Sequence, residues 1–462
     1  MTGLSIALVS EHASPLAVLG GADAGGQNVY VAQTARLLAA AGHRVDVFTR
    51  RDAPDLPDIV TPSRGVRVIH LDAGPQWQVP KEELLPLMPA FTDGLRWWCE
   101  RRRYHLLHAH FFMSAMAAAD VGRRLGIPLV VTFHALGRVR RMHQGEADRF
   151  PLDRVPIEEH IVGVADRVIA ECPQDREDLL TLYRAHPDRL ETIPCGFDPE
   201  EMWPIALRAA RAALGLDPSE FILLQLGRMV PRKGVDTVVE AVASLWERHG
   251  IRARLLVVGG ATEDADEAIT PEIGRLRQIA ADAGAGDQVT FVGRRDRSAL
   301  RTYYGAADLF LTTPWYEPFG ITPLEAMACG TPVIGSAVGG IKFSVLDGET
   351  GYLVPPRDPG AVADRVAHLY HRPELLDSFG TAAHRRAVRH FTWKHVADAL
   401  ERVYVSVVER ASRERPRERR TPPIGSLRVD RLRGRRQPAL AWQGVRVNRA
   451  VPERGSTPRS VS

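Results

Sequence analysis

Apolar and polar positions alternate in two successive series along the chain. Short runs rich in β-branched residues are separated by longer stretches with helical periodicity, a pattern typical of parallel sheets with crossover helices. The first series predicts strands at residues 6–9, 45–49, 66–71, 106–109, 129–133, 167–170 and 190–193. After a turn-rich stretch, the second predicts strands at residues 221–226, 255–258, 289–292, 309–311, 333–335 and 352–354. Helices are expected between the strands, notably at residues 28–41, 81–100, 114–125 and 393–408.

Two such series predict an α/β protein with two doubly wound parallel-sheet domains facing a cleft. The expected boundaries are 1–200 for the first domain and 201–391 for the second, with a helix at 392–409 crossing back to the first. Ligands of open α/β sheets bind beyond the carboxyl ends of the strands. The segments that follow strands are therefore the first places to look for chemistry.

The composition bears on membrane spans, on disulfide or zinc sites and on the expected cellular location. The 462 residues are 45% hydrophobic, and no apolar run approaches the roughly 18 residues that a transmembrane helix needs. The four cysteines, Cys99, Cys172, Cys195 and Cys329, are scattered without a C-x-x-C pair, which argues against a zinc ribbon or a disulfide scaffold. A reducing cytoplasm is the expected location.

The positive net charge belongs to the C-terminal end of the chain. Residues 410–462 contain 15 arginines and 4 acidic residues, so residues 1–409 carry a net charge of −7 although the whole chain carries +4. This segment has too few periodic apolar residues to predict a core, and we expect it to be disordered. It is either a solvated extension or a weak contact for an anionic membrane; no specific nucleic acid is expected as a partner.

Two segments that follow strands have features of phosphate-binding loops. Residues 20–28 form a glycine-rich turn before a predicted helix, where glycine lets the backbone approach a phosphate and the helix start presents N–H groups. In the second domain, Arg228 and Lys233 lie on a loop directly after a strand and could neutralise a pyrophosphate leaving group. The alternatives are a simple tight turn and surface cations.

A third segment offers carboxylates. Glu317 lies in a turn after a strand, and Glu325 follows about two helical turns later, so both could accept hydrogen bonds from hydroxyl groups of one ligand. Helix capping and a solvated helix face are the alternatives for either glutamate alone.

Taken together, these segments resemble the retaining glycosyltransferases of family 4, which have the GT-B fold of two Rossmann-like domains. The resemblance covers residues 4–409 and is nearest to the sucrose-phosphate synthase and inositol-phosphate glycosyltransferase branches. It rests on Arg228, Lys233, the E-x7-E element and the segments 23–30, 327–334, 338–342 and 347–354. It implies transfer of a hexosyl group from a nucleotide diphosphate sugar, with UDP-glucose as the type of donor, to a small acceptor.

The resemblance also implies a role for each residue. Catalytic roles fall to His134, Arg228, Lys233 and Glu317, with Arg228 and Lys233 stabilising the charge that develops as the glycosidic bond breaks. Without the resemblance, His134 would more readily be a structural histidine. The implied donor-binding residues are Gly25, Gly26, Phe319, Gly320, Ile321 and Glu325, and the implied acceptor-binding residues are His12, Asn28, Lys81 and Arg154.

The acceptor is the point where this chain departs from the inositol-phosphate branch. The resemblance places Phe111 and Ala135 where that branch has two hydroxyl side chains for the acceptor phosphate, whereas the cations Lys81 and Arg154 are kept. Arg138, Arg140 and Arg141 add positive charge nearby. An anionic acceptor is still expected, but inositol phosphate itself is not the clear candidate.

No side chain stands out as a nucleophile for a double inversion, so the resemblance implies reaction on one face, with the departing phosphate taking the acceptor's proton. No D-x-D pair fits the donor loop, so no metal and no other cofactor is expected to be required, and the sequence makes no prediction of oligomeric state. The alternatives are a nucleotide-sugar epimerase or hydrolase on the same fold and a non-catalytic sugar-nucleotide-binding module. The chain lacks the dinucleotide-binding fingerprint of a Rossmann dehydrogenase, which argues against that class of enzyme.

Overall fold

The computed structural model describes residues 3–17 and 25–414. The strands are β1 Ser5–Val9, β2 Arg44–Arg50, β3 Ile59–Ser63, β4 Val66–Leu71, β5 Leu106–His110, β6 Leu129–Thr132, β7 Arg167–Ala170, β8 Leu190–Thr192, β9 Ile222–Leu226, β10 Arg254–Val258, β11 Val289–Gly293, β12 Leu309–Thr312, β13 Val333–Ser336 and β14 Gly351–Val354. The helices are α1 Gly26–Ala40, α2 Met88–Arg101, α3 Phe112–Leu125, α4 Gly137–Gln144, α5 Arg154–Val164, α6 Pro173–Tyr183, α7 Leu207–Leu214, α8 Val235–His249, α9 Pro271–Asp282, α10 Arg297–Ala306, α11 Ile321–Ala328, α12 Ile341–Ser344, α13 Pro359–Tyr370, α14 Pro373–His390 and α15 Trp393–Glu414.

These strands form two sheets, of eight and six strands, that share the order of their central strands. The first runs β3-β4-β2-β1-β5-β6-β7-β8 and the second β11-β10-β9-β12-β13-β14. Apart from β3, which is antiparallel to β4, every strand pair is parallel. In both sheets the strand order reverses beside the first strand of the series, between β1 and β5 and between β9 and β12. Such a switch point opens a crevice where ligands bind.

The two doubly wound α/β domains confirm the predicted fold class, and every predicted strand is present. The edge strand β3 was not predicted, because it is short, largely exposed and contains Pro62. The expected helix at 81–100 is instead two 3-10 turns, at Lys81–Glu83 and Leu85–Leu87, followed by α2. Pro86 and Pro89 explain the difference, since proline cannot donate the backbone hydrogen bond of a continuous helix.

Two segments connect the two sheets, and they run side by side near Phe197 and Trp393. The backbone N–H of Phe197 donates to Phe391, and the N–H of Trp393 donates back to Phe197, at 2.8 and 3.0 Å. From this crossing α15 runs back along α1, and the hydroxyl of Tyr404 lies 2.6 Å from Nδ1 of His108 on β5. The end of the chain is thus held against the first sheet.

The helix α15 continues to Glu414, so the expected start of a disordered tail at 410 is too early. The rest of that segment, with its predicted membrane contact, lies outside the described residues. Within residues 3–17 and 25–414, no helix is long and apolar enough to cross a membrane. All four cysteines are buried and free of disulfide bonds.

Candidate active site

A cavity of about 700 Å³ lies where the carboxyl ends of the two sheets face each other. Segments that follow β1, β4, β5, β6, β7 and β8 form one wall, and segments that follow β9, β10, β11 and β12 form the other. All the predicted site residues line this cavity except Arg154. The topology therefore brings together residues that are up to about three hundred positions apart in the sequence.

The glycine loop touches the opposite wall of the cavity. A Cβ atom built on Gly25 would lie 3.6 Å from Nε of Arg228, and one built on Gly26 would lie 3.3 Å from Cδ1 of Ile321. The absence of side chains at both positions thus lets the start of α1 approach the donor-side residues. The preceding part of the loop, residues 18–24, lies outside the described residues.

Asn28 holds this loop in place. Its side-chain Oδ1 accepts a hydrogen bond from the N–H of Gly25 at 2.9 Å, and its Nδ2 donates to the carbonyl of Ser14 at 2.9 Å. Asn28 lines the cavity, but both ends of its amide are already used by the backbone. Its geometry is that of a residue shaping the loop, and its predicted contact with the acceptor stays a prediction.

An ion pair lies on the opposite wall. Nζ of Lys233, on the loop after β9, contacts Oε2 of Glu317, on the loop after β12. Burial, together with the charges of Arg232 and Arg228, lowers the pKa of Lys233 to about 8 despite the opposing effect of Glu317. Burial raises the pKa of Glu317, but the charges of Lys233, Arg232 and Arg228 outweigh burial and lower it overall.

Close backbone packing fixes the two loops that carry this pair. A Cβ on Gly234 would lie 1.9 Å from the carbonyl oxygen of Thr313, whose hydroxyl donates to the carbonyl of Gly234 at 2.6 Å. On the other side, a Cβ on Gly339 would lie 1.8 Å from the carbonyl oxygen of Glu317, and one on Gly340 would lie 2.3 Å from Cα of Phe319. Glycine is therefore required for this packing, which explains the Gly-Gly element of the segment 338–342.

Glu325 is buried and already has partners in this structure. Oε1 accepts a hydrogen bond from Nη1 of Arg297 at 2.8 Å, and Oε2 accepts one from the hydroxyl of Tyr304 at 3.0 Å. Arg297 also pairs with Glu201 of the connection between the sheets, at 2.5 Å. Each carboxylate oxygen has a second lone pair, so Glu325 can still accept from a ligand hydroxyl.

Arg297 was missed by the sequence analysis. The available signal was the run of arginines at 294, 295 and 297, directly after the predicted strand at 289–292. All three arginines line the cavity.

His134 follows β6 with a backbone φ of 57°, a conformation that is uncommon for residues other than glycine. Its Nδ1 lies 2.9 Å from Oε1 of Glu171, and its Nε2 lies 3.0 Å from Nδ1 of His110. Both ring nitrogens therefore face protein groups, although the residue lines the cavity. Glu171, which also lines the cavity, was not singled out from the sequence.

The first-domain wall combines aromatic and basic side chains. Nδ1 of His12 lies 2.7 Å from Oε1 of the buried Glu11, and its ring packs edge-on against Phe111 with 4.9 Å between centroids. Phe111 has a φ of 77° and immediately precedes α3. Lys81 lines the same side of the cavity.

Arg154 lies behind this wall rather than in it. The residue is 1% exposed, its Nε donates to Glu158 at 2.8 Å, and its Nη2 donates to the carbonyl of Ala135. The guanidinium carbon also lies 4.8 Å from the centroid of Phe111. The structure does not bring Arg154 to the cavity, because burial beside the Glu158 carboxylate gives its charge a partner inside the protein.

The cavity as a whole is strongly basic. Of the three arginines expected near the acceptor, Arg140 reaches the lining, whereas Arg138 and Arg141 do not. The nine basic side chains of the lining, against four carboxylates, are Lys81, Arg140, Arg149, Arg228, Arg232, Lys233, Arg294, Arg295 and Arg297. They occur on both walls, so the cavity can attract negative charge on either side.

Comparison with known families agrees with this geometry. Residues 24–201 match the family described as Glycosyltransferase Family 4, and residues 208–386 match the one described as Glycosyl transferases group 1. The D-inositol 3-phosphate glycosyltransferase 2 of Catenulispora acidiphila is 37% identical over 409 residues, which are 87% of this chain and 95% of the relative. A D-inositol 3-phosphate glycosyltransferase of Thermobispora bispora is 36% identical over 91% of this chain and 97% of its own length.

The chain belongs to glycosyltransferase family 4.

Solved structures place this family-4 glycosyltransferase in the GT-B fold. Sucrose-phosphate synthase from Thermosynechococcus elongatus superposes with a TM-score of 0.82 at 35% identity, covering 88% of this chain and all of that one. The Anabaena protein HepE, solved in complex with UDP and glucose, superposes with a TM-score of 0.68 at 18% identity, covering 87% of this chain and all of that one. The predicted family, fold and enzyme class are confirmed.

Proposed function

We propose that this family-4 glycosyltransferase moves a hexosyl group, with retention of anomeric configuration, from a UDP-sugar to a small phosphorylated acceptor. The observation that carries the proposal is the partly buried Lys233–Glu317 pair beside Arg228 and Arg232, opposite the glycine loop. Fixed cations aimed at a departing pyrophosphate stabilise the charge that appears as the glycosidic bond breaks. The donor pyrophosphate would lie between the Gly25–Gly26 backbone and this basic loop.

The contacts of the carboxylates support reaction on one face of the sugar. Three of the four acids that line the cavity already have partners: Glu171 faces His134, Glu317 pairs with Lys233, and Glu325 is held by Arg297. The fourth, Glu82, follows β4 next to Lys81 on the first-domain wall, the proposed acceptor side. To act as the nucleophile of a double inversion, any of these three carboxylates would have to be released from its partner. The basic side chains can meet the charge of the pyrophosphate, so the proposal requires no metal or other cofactor.

In the proposed step, the acceptor oxygen forms a bond to the anomeric carbon as the bond from that carbon to the β-phosphate oxygen breaks. The electron pair leaves with the phosphate, which also takes the proton of the acceptor hydroxyl. Glu317, with the backbone amides of residues 319–321 at the start of α11, would hold the transferred sugar, and Glu325 would accept from the ribose hydroxyls. His134 would lie beside the sugar.

The basic first-domain wall supports a phosphorylated acceptor. Lys81, Arg140 and Arg149 line that side, and the named relatives act on inositol 3-phosphate or are synthases of sucrose-phosphate. Phe111 and Ala135 offer no hydroxyl group, so the acceptor phosphate would be held mainly by cations. The four free, buried cysteines support a cytoplasmic location.

The test is a donor screen by thermal shift, followed by transfer assays with the best donor. A ligand that binds only the folded state, present at a free concentration of 100 times its dissociation constant, should stabilise the fold by about 2.7 kcal/mol. We expect UDP-sugars to raise the melting temperature of the wild type more than GDP-mannose or ADP-glucose. In the transfer assays, we expect the enzyme to glycosylate phosphorylated acceptors faster than their unphosphorylated counterparts. NMR of the early product should show the same anomeric configuration as in the donor. Release of free sugar without transfer, or an inverted product, would contradict the proposal.

A further inference from the structure

Three titratable side chains at the carboxyl ends of adjacent strands meet at the cavity wall. His110 ends β5, His134 follows β6 and Glu171 follows β7. Because these strands are neighbours in the first sheet, their carboxyl ends bring the three side chains together. Of the three, only His134 was predicted from the sequence to have a role.

The contacts form a chain that ends on a carboxylate. His110 Nδ1 faces His134 Nε2 at 3.0 Å, and His134 Nδ1 faces Glu171 Oε1 at 2.9 Å. The thiol of Cys195 donates to the same Glu171 oxygen at 3.2 Å, and the N–H of Glu171 donates to Asp175 at 2.9 Å. Glu171 is thus held on both its backbone and its side chain.

The carboxylate decides which nitrogen of His134 carries the proton. A lone pair on Nδ1 would face the negative charge of Glu171 and be repelled, whereas an N–H there makes a charge-assisted hydrogen bond. In a neutral His134 the other nitrogen, Nε2, is then an acceptor, which requires His110 to donate from Nδ1. Burial lowers the pKa of His110 well below its usual value, so this ring is neutral and has one proton to place.

The backbone of His134 also depends on this support. Its φ of 57° is strained for a residue with a side chain, and the ring packs edge-on against Tyr30 with 5.0 Å between centroids. Strained conformations of this kind persist where surrounding contacts over-determine them. Glu171 supplies the only carboxylate bonded to this ring among residues 3–17 and 25–414.

We propose that Glu171 is a positioning residue that holds His134 as the Nδ1–H tautomer, with Nε2 occupied by His110. This inference deepens the function proposed above. Held in this way, His134 shapes the sugar site but is unavailable as a general base. The acceptor's proton then goes to the departing phosphate, as in the step described there.

The first experiment measures the tautomer itself and is independent of the substrate. Two-bond proton–nitrogen spectra of histidine-labelled protein would report the His134 ring, assigned by comparison with His134→Asn. We expect the Nδ1–H form in the wild type and in Glu171→Gln, whose amide oxygen can still accept the hydrogen bond. Glu171→Ala should lose this preference. An Nε2–H ring in the wild type, or an unchanged Nδ1–H ring in Glu171→Ala, would overturn the proposal.

The second experiment uses the donor and acceptor found by the screen. Glu171→Ala should lower kcat by about 10- to 100-fold with a smaller change in KM, because the sugar is bound but misplaced, and Glu171→Gln should recover part of the loss. The matched control is Asp46→Asn, which removes a buried carboxylate bonded to Arg67 and Tyr104 outside the cavity. It should lower the melting temperature and leave kcat unchanged.

An equal loss of kcat in Glu171→Ala and Asp46→Asn would mean that Glu171 acts only through stability, which contradicts the proposal. If no donor is turned over by the wild type, the proposed function fails, while the tautomer measurement still decides the role of Glu171.

Discussion

Single side chains in this cavity differ in the partners that already hold them. Glu317 is paired with a lysine on a neighbouring loop, whereas Glu325 is held by an arginine and a tyrosine of α10. The two glutamates of one sequence element therefore have different electrostatic surroundings. Of the two, only Glu317 lies within reach of the cations that would face a pyrophosphate.

The first prediction concerns Lys233→Ala. Loss of this cation should lower kcat/KM by about 100- to 1,000-fold, the effect typical of removing one fixed group that stabilises transition-state charge. Steady-state kinetics would measure the loss, and a thermal melt would show a folded protein. Lys394→Ala, which removes an exposed lysine paired with Asp398 on α15, is the control and should have full activity. Unchanged turnover in Lys233→Ala would contradict the role of Lys233 in stabilising the departing pyrophosphate.

The second prediction is a pH dependence. Burial lowers the pKa of Lys233 to about 8, so its positive charge is present below pH 8 and is lost as the pH rises through that value. In the free enzyme, kcat/KM should therefore fall on the alkaline side with a midpoint near pH 8.

Lys233→Arg separates this effect from other titrations. Burial raises the pKa of Asp175 to about 8, so this acid titrates over the same range. Arginine stays charged throughout, and the alkaline fall should disappear from the profile of the variant even if its activity is lower. If kcat/KM of the variant still falls near pH 8, the fall is due to a group other than Lys233.

At the scale of elements, the donor site depends on loops packed backbone to backbone. The segment 338–342 lies against the loop of Glu317 and Phe319, with no room for a Cβ at Gly340. The N–H of Gly340 donates to the carbonyl of Glu317 at 3.2 Å. The position of the amides at the start of α11 therefore depends on a glycine outside the E-x7-E element.

The third prediction is that Gly340→Ala displaces Phe319 and weakens donor binding. Its Cβ would overlap the Phe319 backbone, so we expect a loss of about 1–3 kcal/mol in stability and at least a ten-fold rise in the KM for the donor. Gly163→Ala is the matched control, because a Cβ there meets nothing within 4 Å in α5. It should be neutral or stabilise the fold by about 0.5–1 kcal/mol. Equal donor KM values in the two variants would contradict this account of the loop.

At the scale of the whole molecule, α15 ties the end of the described chain to the first sheet. Nδ1 of the buried His108 has the Tyr404 hydroxyl as its partner, and its Nε2 has the hydroxyl of Thr132 at 2.9 Å. Burial lowers the pKa of His108 to about 3, so the ring is neutral and needs both partners. The contact joins a strand and a helix separated by most of the chain.

The fourth prediction is that Tyr404→Phe lowers the free energy of unfolding by about 1–3 kcal/mol, because a buried nitrogen loses its partner. Urea denaturation would measure the change. Tyr370→Phe, at a half-exposed tyrosine, should cost much less. If the two variants were equally stable, the His108 contact would have no net effect on folding.

The sequence by itself determined the two series of strands and helices, because the spacing of apolar residues is a local property that burial imposes on each element. It also determined the cavity, since parallel strands place the segments that follow them at one edge. Arg228, Lys233, Glu317 and the Gly25–Gly26 turn could be found in this way.

Only the tertiary structure decided the partners of those side chains. Glu317 is paired with Lys233, Glu325 with Arg297, and His134 with Glu171 and His110. Most of these partners lie on different elements, and their distances depend on sheet order and loop packing rather than on local periodicity. Whether a charged group faces the cavity or another charge is a property of the assembled fold, because burial and long-range pairing together set its energy.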